Sequence, residues 1–125
     1  MILKNSLYTI VGQSMQENKT CYDIALNANH TIYQAHFPGE PITPGACLVQ
    51  IAQELTEDHM QQAYQLSAIK NVKFLSVISP SQHPRVTYVL EKVDADSADC
   101  KVVVQVLDPE STTVFAKLSL LFHKR

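Results

Sequence analysis

The chain has 125 residues, 46% hydrophobic and 18% charged, with a formal net charge of −2. That is enough length for one domain with its own core, and the composition excludes a disordered chain. The near-neutral charge argues against nucleic acid as a partner, and no apolar run approaches the roughly 18–20 residues of a membrane span.

Residues 7–13 and 20–27 carry strand-forming side chains around Gln16-Glu17-Asn18-Lys19, which reads as a hairpin turn. Asn27-Ala28-Asn29-His30 reads as a second turn, and the short segment 32–37 leads into a loop rich in proline and glycine. From residue 46 to about 64 the period becomes helical. Leu48, Ile51, Ala52, Leu55, His59 and Ala63 fall on one stripe, and Gln50, Gln53, Glu54, Glu57 and Gln61 fall opposite. Thr43 or Gly45 is placed to cap the helix start, and Pro44 is compatible with it. Residues 68–78, 85–93, 100–107 and 113–123 then read as strands, separated by turns at 94–99 and 108–111. Two strands, one long helix and about four strands predict an α+β plan, with the helix laid on one antiparallel sheet. Residues 1–125 are expected to form one domain. Residues 1–6 lack the apolar run and cleavage site of a signal peptide.

Cys21, Cys47 and Cys100 form no CxxC pair, and a sparse odd set fits a reducing cytoplasm. Cys47 has two readings: a nucleophile activated by the nearby helix start, or a small buried hydrophobe. His30, His59, His83 and His123 show no metal-ligand spacing. His59 is expected to pack on the apolar stripe and the others to lie on the surface.

The densest signal is His36-Phe37-Pro38-Gly39-Glu40-Pro41-Ile42-Thr43-Pro44-Gly45, which holds two of the three glycines and three of the six prolines. Each proline fixes its own φ and restricts the residue before it. A titratable imidazole beside so stiff a turn is a group held in position for proton exchange. The run resembles the signature of the β-hydroxyacyl-acyl carrier protein dehydratases, which have the hotdog fold. The order of elements agrees along nearly the whole chain.

The resemblance implies a lyase of fatty-acid or related lipid metabolism, working as a homodimer with its tunnel at the subunit interface. His36 would remove the C2 proton of a 3-hydroxyacyl thioester carried on acyl carrier protein or coenzyme A. The Gly45 N–H would hold the thioester carbonyl, with Tyr33, Phe37 and Pro44 lining the substrate. From the residues alone, Tyr33 reads first as an ordinary core aromatic. No metal or other cofactor is implied. Lys70, Lys73, Arg85 and Lys101 could face an acidic carrier protein.

One position departs from the pattern. The family places an acidic residue fourteen positions after the histidine, and this chain has Gln50 there. An amide neither gives nor takes a proton at ordinary pH. Glu54, one helical turn on, is the candidate replacement, about 5–6 Å along the helix; as a plain surface carboxylate it would have no such role. Two further functions therefore stand beside the dehydratase. One is a silent hotdog subunit that binds acyl chains or a partner hotdog chain in a higher homo- or hetero-oligomer. The other is an acyl thioesterase using Glu54 or Glu57.

Overall fold

A computed structural model describes residues 1–35, 41–110 and 112–125. The chain runs β1 (Tyr8–Gln16), β2 (Lys19–Leu26), α1 (Thr31–Ala35), α2 (Gly45–Met60), β3 (Tyr64–Phe74), β4 (Arg85–Ala95), β5 (Asp99–Leu107) and β6 (Val114–Lys124). Every strand pairing is antiparallel, in the order β1-β2-β4-β5-β6-β3. β1 and β3 are the two edges.

The first turn is as short as a hairpin allows. Gln16 pairs with Lys19, and Glu17 and Asn18 both take positive φ, at 52° and 65°. This is the primed turn whose twist matches the flanking strands. Segment 32–37 departs from a simple loop entry: Thr31–Ala35 forms a single helical turn. His30 Nδ1 accepts the Ile32 N–H at 3.0 Å, satisfying one donor of that turn. Five residues are too few to show a period in sequence.

Helix α2 buries Cys47, Leu48, Val49, Ile51, Ala52, Leu55 and Thr56. These join Tyr8, Tyr22, Tyr88, Phe115 and Phe122 from the strands in one core on the inner face of the sheet. The helix is shorter than its periodicity suggests. Gln61 turns left-handed (φ 52°) and closes the helix on Glu57 O. Ala63 therefore lies beyond the helix and His59 is exposed, so neither extends the apolar stripe. The early stop lets β3 begin at Tyr64 rather than near residue 68. β3 also ends sooner, at Phe74, because the next residues leave the ladder: the Leu75 and Ser76 N–H groups both donate to Phe115 O.

Among the described residues no helix is long and apolar enough to cross a membrane.

Candidate active site

The start of α2 is built by four hydrogen bonds. Pro44 occupies the N-cap with extended backbone (φ −62°, ψ 145°) and offers no side-chain acceptor. The expected cap by Thr43 or Gly45 is not made. Thr43 instead is buried, its hydroxyl 2.9 Å from Tyr33 Oη, and its N–H donates to Ile78 O at 2.8 Å. These bonds tie the proline segment to α1 on one side and to the segment after β3 on the other. Cys47 and Leu48 N–H groups both donate to Pro44 O. The N–H groups of Gly45 and Ala46 precede any acceptor within the helix. They form a partial positive end suited to a developing oxyanion.

Gly45 leaves room for the ring tip of Phe74, which a side chain there would have to displace. A Cβ built on it would lie 2.6 Å from Cζ of Phe74, well inside van der Waals contact. Two grooves meet there, about 380 Å³ and about 550 Å³ in volume, and both are lined by Gly45 and Phe74. Pro44 lines the smaller and Gln50 the larger.

Gln50 and Glu54 are brought together. Gln50 Nε2 donates to Glu54 Oε2 at 2.8 Å and to Met1 O at 2.8 Å. Both partners are acceptors, so the amide orientation follows from chemistry: the nitrogen faces them and Oε1 faces away. Glu54 is heavily engaged within its own chain. Its carboxylate accepts the Leu3 N–H (2.8 Å), the Lys4 N–H (2.8 Å) and the Tyr8 hydroxyl (3.0 Å). Glu57 accepts the Tyr64 N–H and an Arg125 guanidinium N–H. Asp58 accepts the Tyr22 hydroxyl. Sequence reasoning missed the Leu3 and Lys4 partners of Glu54, since a backbone N–H some fifty positions away leaves no signature.

His36 and Phe37 lie outside the described residues. Tyr33 is 2% exposed and sits in the core, its hydroxyl committed to Thr43; burial pushes its phenol up. It holds the proline segment rather than lining an open surface. Cys47 is buried, and burial pushes its thiol up, the opposite of an activated nucleophile. Lys70, Lys73, Arg85 and Lys101 are exposed, on three different strands. Phe74 is the site residue that sequence reasoning passed over. It left no clear signal, because the strand read from sequence ran on to residue 78 and the contact with Gly45 comes only from the fold.

An antiparallel sheet holding one long helix against its inner face, with the helix start open to two grooves, is the hotdog fold. A family model described as ApeI-like, ApeI dehydratase, matches residues 12–112, and the chain belongs to that family. It is 34% identical over 73 residues to the 3-hydroxyacyl-acyl-carrier-protein dehydratase FabZ of Ligilactobacillus salivarius, covering 52% of this chain and 51% of that one. The matched stretches span 51% and 59% of the curated relatives it resembles, little more than half their length. Solved structures share the fold, among them the following two. The dehydratase heterocomplex ApeI:P from Xenorhabdus doucetiae has a TM-score of 0.64 at 14% identity, with 91% of this chain and 96% of that one covered. A thioesterase from Haemophilus influenzae has a TM-score of 0.65 at 12% identity, with 96% and 80% covered.

Proposed function

We propose that this chain dehydrates 3-hydroxyacyl groups carried as thioesters on acyl carrier protein or coenzyme A, in fatty-acid or related acyl-chain synthesis. The dehydratase family match across residues 12–112, which includes the histidine motif and all of α2, carries this reading. His36 takes the C2 proton, and the thioester carbonyl accepts the Gly45 N–H as negative charge develops on its oxygen. The C2–H electron pair becomes the C2=C3 bond as the C3–O bond breaks. The departing hydroxide needs a proton, and Gln50 has none to give. The same imidazole, now protonated, returns it, and water leaves with no net redox change. Gln50 Oε1 accepts the hydrogen bond of the substrate hydroxyl and orients it.

The working form is a homodimer. Supporting this, edge strand β3 and the segment after it expose Leu66, Ile69, Phe74, Leu75 and Val77 beside the start of α2. An apolar edge of that kind calls for a covering partner.

A second reading is favoured by one observation: Gln50 is neutral and Glu54 is held by four donors of its own chain. On that reading the chain is silent by itself, and a different hotdog subunit brings the missing carboxylate. The structural relative from Xenorhabdus doucetiae is itself a heterocomplex.

The discriminating experiment incubates the purified chain alone with 3-hydroxyacyl thioesters, following the conjugated enoyl product and free thiol together. The proposal expects enoyl product without thiol. Thiol release would make the chain a thioesterase, and binding without turnover would make it the silent subunit.

A further inference from the structure

Gln50 stands on α2 between two hollows of different character. One, about 640 Å³, is lined by Glu54, Glu57 and Asp58. The other is the groove of about 550 Å³ that Gly45 lines, and among the described residues no charged side chain borders it. Gln50 lines both, whereas Glu54 lines only the first. The Gln50 amide has two hydrogens and both are used: Nε2 donates to Glu54 Oε2 and to Met1 O, each at 2.8 Å. Oε1, on the other fork of the amide, faces the side that Glu54 does not reach, where Gly45 lies. It accepts no hydrogen bond among the described residues and is not a buried orphan, so it opens to the groove. Gln53, the other amide there, also directs its nitrogen into the chain, to Tyr64 O at 2.9 Å.

We propose that Glu54 is a positioning residue that fixes the Gln50 amide with its oxygen toward the groove, so that the site selects an acyl thioester bearing a hydrogen-bond donor at C3 over one bearing a ketone. This deepens the reading above and rests on its acyl-thioester substrate. Glu54 makes the orientation stiff because its own oxygens are filled. Oε1 accepts the Lys4 N–H and the Tyr8 hydroxyl, and Oε2 accepts the Leu3 N–H and Gln50 Nε2. Four donors match the acceptor sites of one carboxylate. Turning the Gln50 amide over would set its oxygen against Glu54 Oε2 and Met1 O, two acceptors, and remove both its hydrogen bonds. What Gln50 offers a ligand is therefore an acceptor alone. A C3 hydroxyl donates to it, whereas a C3 ketone meets it oxygen to oxygen. One neutral hydrogen bond gained or lost is worth up to about tenfold in affinity.

The test measures binding of 3-hydroxyoctanoyl-, 3-oxooctanoyl- and octanoyl-coenzyme A to the full chain carrying His36→Ala, which keeps the hydroxyacyl group from turning over. The same titrations are made after adding Gln50→Leu or Glu54→Ala, with thermal unfolding confirming that each variant folds. With Gln50 and Glu54 in place, the hydroxyacyl ligand is expected to bind about tenfold tighter than the oxoacyl one. Each added change is expected to bring that ratio within about twofold of one and to leave octanoyl affinity within about twofold. The ratio compares two ligands on one folded protein, so a loss of stability alone does not move it. Gln50→Leu leaves Glu54 its three other donors and reads the acceptor by itself. A ratio that survives Glu54→Ala but not Gln50→Leu would overturn the positioning role of Glu54. Equal hydroxyacyl and oxoacyl affinity with both residues in place would overturn the whole proposal and leave the acyl-thioester substrate standing. Failure to bind any of the three thioesters would overturn both.

Discussion

Glu54, Glu57 and Asp58 sit along one side of α2, and each carboxylate is bonded to a different part of the chain. Glu54 holds the segment before β1, Glu57 the start of β3 and Arg125, and Asp58 the ring of Tyr22 in β2. A carboxylate accepting several N–H groups leaves costly unsatisfied donors when removed. Glu54→Ala should therefore lower stability by about 2 kcal/mol, a fall of several degrees in Tm by calorimetry. Glu54→Gln, which keeps one acceptor oxygen, should fall between the two. An unchanged Tm in Glu54→Ala would contradict the structural role. At this scale the histidine motif was legible because its three prolines fix the backbone and its residues stand in a dense, specific order. The use made of Glu54 was not, because its partners are main-chain N–H groups and a tyrosine from the other end of the fold. The glycine at position 45 was legible as a helix start and, through the family resemblance, as a donor to the thioester carbonyl; the ring beside it was not.

The elements depend on a few side-chain anchors between sheet and helix. Tyr8 donates to Glu54, Tyr22 to Asp58, and Tyr88 to Leu48 O. Burial, reinforced for the first two by the carboxylates they bond, holds all three phenols well above their ordinary range in the folded chain. The unfolded chain ionises near pH 10, so the folded form retains more protons above that point. The stability tied to these groups is complete below about pH 10 and is lost as pH rises toward the folded values. Tm should stay level through neutral pH and fall steeply above about pH 10, with tyrosinate absorbance appearing only as the chain unfolds. Tyrosinate signal from all three groups in a still-folded chain would contradict this. The β1–β2 hairpin makes a separate prediction. Glu17 and Asn18 bear positive φ that neither side chain favours as Asn-Gly would, so the double change Glu17→Asn with Asn18→Gly should stabilise by about 0.5–1 kcal/mol in a denaturant titration. The position of this turn was readable from its polar residues. The early end of α2 was not, since Gln61 is no common left-handed residue and its neighbours continue the helical pattern.

Across the whole molecule, the order of strands and helix was readable because each apolar period is long and turn residues separate the segments. What did not follow from pattern alone was the sheet order, in which β3 crosses to the far edge beside β6 and leaves β4 to pair with β2. That crossing places an apolar strand at an open edge, next to the start of the helix. Ile69, 53% exposed at mid-strand, is the position to probe. Light scattering should report a dimer or larger for the unaltered chain, and Ile69→Lys should shift it toward monomer and weaken acyl-thioester turnover. A monomer in both would contradict the assembly. The proposed dehydration depends on His36 acting as the base that begins loss of water. Steady-state formation of enoyl thioester from a 3-hydroxyacyl thioester, comparing the unaltered chain with His36→Ala, tests that most directly. The account predicts turnover in the first and a loss of at least about 10²-fold in the second, with binding retained; full turnover in His36→Ala would contradict it.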